Sequence, residues 1–391
     1  MKAITGSITA GLRGGWWRSL RRWLRSSQES GFSDGELSDL PEPLRNRLKR
    51  DIESLLAPEA SRTTISIAVQ EGLKRWRQQP QARNALVILA NPLEPLDHLL
   101  IDALSADAGF RASDLITPLA AHQRPDDPLT MPELVREAFR ALPAMPSGDN
   151  NSDKDGGAEG GAEGGERARL VLIPALDMLF LRCIGGWESI EVLRSELVQR
   201  PDLFWVIGCN RWAWCFLDAV AQAEACFGAP VSLPRLGGDD LKPWLLSLES
   251  LPPAVEANTD SFDWEELADL ANGVSSIAAR IWLDGLRVEE QPNGAGDEPR
   301  LIATVPAPRS LPSLVGIDRY LLHAVLIHGR ISRRHLIRSL GDADGRIEAR
   351  TQWLLRQGIL EVRGDILMVS PLHYGRIASD LANNNFFVES A

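Results

Sequence analysis

Side chains able to move protons, bind metals or attack carbonyls near neutral pH are few in this chain, and they are scattered. The six histidines are His98, His122, His323, His328, His335 and His373. No two of them form an H-E-x-x-H phrase, and none stands at ligand spacing from a cysteine. The four cysteines, Cys183, Cys209, Cys215 and Cys226, form no C-x-x-C pair. A metal site needs three or four donors converging on one ion, and these spacings do not supply them. A G-x-S-x-G elbow for an activated serine is also missing. The residues predict no metal, no cofactor, no disulfide framework, reduced thiols, and histidines that are structural or exposed.

One segment has the layout for phosphate chemistry without its residues. A phosphate loop reads G-x-x-x-x-G-K-[ST] between a strand and a helix. Its glycines let backbone N–H groups cradle phosphate, its Lys contacts the terminal phosphates, and its hydroxyl holds magnesium. The phrase LVILANPLEPLDHLLIDAL has the same apolar strand, short loop and helix. Laid on the motif, Ala90 and Pro95 stand for the glycines, Leu96 for the Lys and Asp97 for the hydroxyl, while Asn91 and Pro92 are ordinary loop residues. Pro95 removes a donor, Leu96 removes the cation, and Glu94 and Asp97 bring negative charge. A like charge at that range opposes phosphate by on the order of 1–4 kcal/mol.

These phrases sit in an alternating pattern. Ile65, Val69, Leu73 and Trp76 recur at helical spacing in a segment that ends before Pro80. Strands are predicted at Ala85–Ala90, Asp114–Leu119, Arg169–Ile173, Leu203–Cys209 and Pro230–Leu233. Helices are predicted at Leu96–Leu104, Pro132–Ala141, Ile190–Gln199 and Trp212–Ala219. Strands alternating with helices imply a parallel sheet covered on both faces. The Gly/Glu-rich stretch 147–166 has too little apolar surface to fold and is predicted to be a disordered insert. From Asp239 the pattern turns wholly helical, at Asp240–Leu248, Trp264–Ala271 and Ser275–Leu286, until the Pro-rich boundary Val305–Pro312. The last part reads helix (Leu321–Ile327), helix (Arg333–Leu340, capped by Ser332), helix (Gly345–Gln357), hairpin (Ile359–Val362 with Ile366–Val369) and helix (His373–Leu381). The expected division is 1–60, a basic Trp-rich helix and polar segment with a helix near Pro43–Leu56; 61–238, an α/β domain; 239–304, a helical lid; and 313–391, a C-terminal domain.

This order, with its local phrases, resembles the AAA+ ATPases of the origin-recognition type and the related STAND ATPases, over roughly Ile65 to Phe387. The resemblance implies an α/β fold: a parallel-sheet P-loop NTPase-like core, a helical lid and a C-terminal winged helix. In the family an apolar strand ends in an acidic pair for magnesium and water. Here LVLIPALDMLFLR places Pro174 and Ala175 at those positions and keeps only Asp177, either as a relic of the phrase or as a local cap. Asn210 falls at the family's sensor position, where an Asn orients the attacking water; it equally suits a helix cap at Trp212. Asn272-Gly273-Val274 followed by Arg280 resembles the lid's turn and second sensor helix, so Asn91, Pro92, Asn210 and Arg280 are the candidate residues of a degenerate nucleotide site. Arg182 is a candidate intersubunit arginine. With Leu96, Pro174 and Ala175 at the phosphate, metal and acid positions, the resemblance implies a pseudo-ATPase and not an enzyme.

Two further segments bear on partners. In Trp16, Trp17, Arg18, Ser19, Leu20, Arg21, Arg22, Trp23, Leu24 and Arg25, helical spacing gathers Trp16, Leu20, Trp23 and Leu24 on one face and arginines on the other, with no acid. Such a helix lies on a membrane surface, docks on an acidic partner, or packs on its own domain. In the C-terminal domain ten basic side chains face eight acidic ones. Arg346 and Arg350 on its third helix and Arg363 in the wing are candidate DNA or partner contacts. The formal charge of -11 excludes a protein that coats nucleic acid with its whole surface. The longest apolar stretch, Leu170–Leu181, contains Asp177 and is too short to span a bilayer. The beginning has no apolar signal core or cleavage pattern. A cytoplasmic protein is expected, peripheral on the inner face of a membrane in the case that the Trp16–Arg25 helix lies on lipid. Three functions follow: a regulatory or scaffolding protein with a protein partner, a DNA-binding regulator, or a nucleotide-binding switch with a divergent site.

Overall fold

The computed structural model of the chain describes residues 37–79, 82–106, 115–119, 124–141, 169–249, 251, 262–289, 300–306, 309–342 and 344–386. The basic Trp-rich segment, the Gly/Glu-rich insert and His122 lie outside these residues.

The chain enters through strand β1 (Leu37–Asp39) and helices α1 (Glu42–Glu53) and α2 (Glu59–Gln78). The α/β core follows: β2 (Ala85–Ala90), α3 (Leu96–Ala106), β3 (Leu115–Ile116), α4 (Met131–Arg140), β4 (Leu170–Ile173), α5 (Glu188–Gln199), β5 (Phe204–Asn210), α6 (Arg211–Ala221), α7 (Ala223–Phe227) and β6 (Val231–Ser232). Its five strands are parallel, in the order β3-β4-β5-β2-β6. Successive strand residues point to opposite faces, and the two faces divide the core accordingly. Val87, Leu89, Val171, Ile173, Trp205, Ile207 and Cys209 pack with α4, α5 and α6, whereas Ile88, Ala90, Leu170, Leu172, Phe204 and Val206 pack with α2 and α3. Because both faces are covered, β4 and β5 are buried along their whole length, which is why they read as unbroken apolar runs.

The connection from β2 runs through α3 to the far edge of the sheet, while that from β5 runs back across β2 to β6. The two crossovers diverge between β2 and β5, leaving a crevice outside the carboxyl ends of those strands, the usual place for a site in an open α/β sheet. Gly208 of β5 sets the closeness of α3 there. A Cβ on it would lie 2.4 Å from the Pro174 carbonyl oxygen and 2.7 Å from Leu100 Cδ1.

The lid is α8 (Gly238–Leu246), α9 (Trp264–Leu270) and α10 (Ser275–Gly285), but it is not wholly helical. Strands β7 (Leu286–Glu289) and β8 (Arg300–Ala303) form an antiparallel pair directly after α10, and β1 joins the free edge of β7. Leu286, Val288 and Leu301 turn inward there. Four-residue strands carry too short a period-two pattern to separate from the end of a helix. Leu44 and Leu48 of α1 are buried in the same core as the lid, and Arg45 pairs with Asp284 of α10 at 3.1 Å.

The C-terminal module is α11 (Gly316–His328), β9 (Ile331–Ser332), α12 (Arg333–Leu340), α13 (Arg346–Arg356), the hairpin β10 (Leu360–Arg363) and β11 (Ile366–Val369), and α14 (Tyr374–Asn383). β11 pairs with both β10 and β9, and Ser332 caps α12 by accepting from the His335 amide.

Since backbone stands where the new methyl would go, Gly208→Ala is expected to lower the unfolding free energy by about 1–3 kcal/mol, the usual range for overpacking. Urea denaturation followed by tryptophan fluorescence measures it; an unchanged midpoint would show that α3 shifts freely.

Candidate functional site

At the crevice lies a cleft of about 500 Å³, bounded by the loop after β2, the ends of β4 and β5, the first turns of α10, the end of α1, and the C-terminal module. Most of the loop's amides are spent within it. Leu93 N–H donates to Asn91 Oδ1 at 3.0 Å, Glu94 N–H to the Asn91 carbonyl at 2.9 Å, Leu96 N–H to the Glu94 carbonyl at 2.8 Å, and His98 N–H to Asp97 Oδ1 at 3.1 Å. Pro92 and Pro95 have no N–H to offer. A phosphate cradle needs converging free amides, and this loop is knitted into a turn instead.

Glu94 turns from the loop onto the amino end of α10. Its carboxylate accepts from the Ser275 amide at 2.6 Å and from Ser275 Oγ at 2.7 Å. The first turn of a helix presents unpaired N–H groups and the positive end of the peptide dipoles, so an anion is favoured there. Burial raises the Glu94 carboxyl above its ordinary range, and the hydrogen bonds from Ser275 pull it back part of the way.

On the other side, Asn210 ends β5 and caps α6, accepting from the Ala213 amide at 2.8 Å; its Nδ2 donates to the Ile327 carbonyl of α11 at 2.9 Å. The turn after α11 sits against the loop. Gly329 adopts φ +60, and a Cβ there would stand 3.4 Å from the Pro92 carbonyl oxygen and 3.6 Å from both Asn210 Nδ2 and Asp177 Oδ2. Arg330 then pairs with Asp97 at 3.3 Å. Asn91, Pro92, Asn210 and Arg280 thus all line one cleft.

Arg124 is the residue that sequence reasoning passed over. Only 7% exposed, it donates from Nε to the Phe180 carbonyl at 2.8 Å, from Nη1 to the Arg330 carbonyl at 2.6 Å, and from Nη2 to the carbonyls of Asp177 and His328. Burial lowers its pKa to about 10, with Arg330 adding to the drop and Asp177 opposing it, so it is charged at neutral pH. Burial likewise raises the Asp177 carboxyl, against the pull of Arg124 and Arg330. The only sequence signal for Arg124 is an arginine beside Pro125 in a segment without periodicity.

Within the cleft Arg280 faces Glu361 at 3.6 Å, and Arg363 reaches Glu53 at 3.1 Å. Arg350 holds the buried Asp318 in two hydrogen bonds of 2.6 Å and stacks 4.2 Å from the Trp353 ring. Arg346 is exposed, 3.9 Å from Asp344. Arg182 is half-buried, 3.5 Å from His323 Nδ1.

Six carboxylates (Glu53, Glu94, Asp97, Asp102, Asp177 and Glu361) line the cleft against four cations, Lys49, Arg280, Arg330 and Arg363. Three of these cations are already paired with cleft carboxylates. A polyanion would meet excess negative charge and no convergent donors. Among the described residues, no group of three or more His, Cys, Asp or Glu is placed to hold a metal ion, and no helix is long and apolar enough to cross a membrane. No protein-family model matches the chain. Comparison with curated proteins likewise gives no match.

Glu94→Ala would strip the Ser275 amide of its acceptor and is expected to cost about 1–3 kcal/mol of stability; Glu94→Gln, which keeps an acceptor, should cost less. The folded state holds the Glu94 proton more tightly than the unfolded chain, so ionising it is a penalty that grows as pH rises from about 4.3. The stability gap between wild type and Glu94→Gln should therefore narrow from pH 4 toward neutrality. Denaturation midpoints across that range check it; a widening gap would reverse the sign assigned to Glu94.

Proposed function

We propose that this protein is a non-catalytic regulatory or scaffolding protein, built on an AAA+- or STAND-like ATPase scaffold whose nucleotide site has been replaced by internal contacts. The observation that carries the reading is the Glu94 carboxylate on the amino end of α10. In this reading it stands where a nucleotide's negative charge would bridge core and lid, and it joins the two without a ligand. The self-bonded loop, the cleft's excess of carboxylates and the turn at Gly329 support the same conclusion. The five-stranded parallel core with its helical lid is compatible with a P-loop-like ancestry.

The C-terminal module is read as a winged helix used for docking a protein. Contact with duplex DNA has less support, because Arg350 is committed to the buried Asp318, leaving Arg346 and the surface-paired Arg363 as the exposed members of that set. The segment Trp16–Arg25 is assigned to a partner or to the inner face of a membrane on its sequence pattern, in a cytoplasmic protein.

Titration with a fluorescent ATP analogue and magnesium, with phosphate release followed in the same sample, tests the reading. Neither binding up to millimolar nucleotide nor phosphate release is expected. Micromolar binding would overturn it and make Asn210 and Arg280 the first positions to change.

A further inference from the structure

The seam between the core and the C-terminal module contains a histidine in an unusual position. His328, the last residue of α11, is fully buried. Its Nε2 faces the Arg182 amide at 3.3 Å and its Nδ1 faces Arg124 Nη2 at 3.3 Å. Both neighbours are donors, and the Phe180 ring packs on the imidazole with centroids 5.1 Å apart. A neutral imidazole accepts at one nitrogen; an imidazolium accepts at neither. Protonation would therefore set two N–H groups against two donors, one of them a buried guanidinium.

Every charged group facing His328 acts in the same direction. Arg124 and Arg182 approach from the core, His323 and His335 from its own module, and together with burial they hold the ring neutral, well below the usual imidazole range. His335 crosses the same seam, with Nε2 3.0 Å from the Pro125 carbonyl, and burial lowers it too, against the pull of Asp126. Asp177 enters this cluster through Arg124 and Arg330; its raised carboxyl works in the opposite sense, favouring the closed seam on acidification. The rim pairs Arg334–Asp126 and Arg338–Asp127 are exposed and contribute little.

We propose that this seam is a proton-operated latch, in which uptake of a proton by His328 as the seam parts releases the Gly329–Arg330 turn from the loop after β2. The sign follows from linkage. The closed seam binds no proton at His328, and the parted seam binds one below about pH 6.5, so acid favours parting by about tenfold per pH unit per proton. The turn carries Arg330 and the Gly329 contacts with it, so parting also frees Asp97, Asn210 and Asp177 on the cleft wall. The latch stands on the seam alone and holds whether or not the cleft takes a nucleotide.

Hydrogen–deuterium exchange of the full chain at pH 7.5 and pH 5.5, with labelling times scaled for intrinsic exchange, tests it. The Arg182 amide and the amides of 326–331 are the reporters, and β2 is the reference. About a tenfold loss of seam protection at pH 5.5, with β2 unchanged, is expected. His328→Gln, neutral at every pH, should flatten the dependence or reverse it through Asp177. His335→Gln should reduce its slope and serves if the first variant folds poorly. Wild-type seam protection that does not change with pH would overturn the latch, and so would loss of protection shared equally by β2, which reports global unfolding.

Discussion

The first turn of α10 leaves backbone N–H groups pointing out of the lid with the positive end of the helix behind them. Some acceptor has to meet them, because a buried N–H without a partner costs about 1–3 kcal/mol. Here the acceptor comes from the loop after β2, as the Glu94 side chain bonded to both the amide and the hydroxyl of Ser275. The relation between core and lid is thereby set by a covalent part of the chain, present at constant stoichiometry. The bridge closes one wall of the cleft and fixes the first turn of the helix that carries Arg280.

Arg124 plays the matching part on the opposite wall. A guanidinium has five donors in a fixed plane and no acceptor, and here it is surrounded largely by carbonyls from two modules. Carbonyl partners satisfy its hydrogens while Asp177 offsets its charge at longer range. Such a buried cation orders both modules at once, since neither Phe180 nor Arg330 can move without exposing an unmet donor. The same crowding of donors leaves His328 no room for a proton.

Much of the core was legible because its signals are local and repeated. The runs at 85–90, 170–173 and 204–210 are strands buried on both faces, and unbroken apolar runs between turn residues announce such strands. Asn210 and Ser332 were legible as caps because capping depends on one side chain and the amides just after it. What escaped depends on distant partners. Nothing within a few residues of Glu94 points to Ser275, and Arg124 meets carbonyls that lie more than fifty residues away in sequence. Arg350 was read as outward-facing from helical spacing alone, whereas Asp318, a full helix away, draws it inward. The short strands β7 and β8 lie past the helix that the sequence predicts to end at Leu286, and four residues cannot display a period.

The edge strand β1 has a mechanical implication. Leu37–Asp39 pairs in register with Arg287–Glu289, so the chain reaches the body of the protein through a three-rung antiparallel ladder on the lid and not through the parallel sheet. Any tension on the residues that precede Leu37 is delivered to β7, and from β7 straight into α10, whose first turn Glu94 holds. The lid is thus the first part of the body to carry a load applied through β1, along a path of three paired residues.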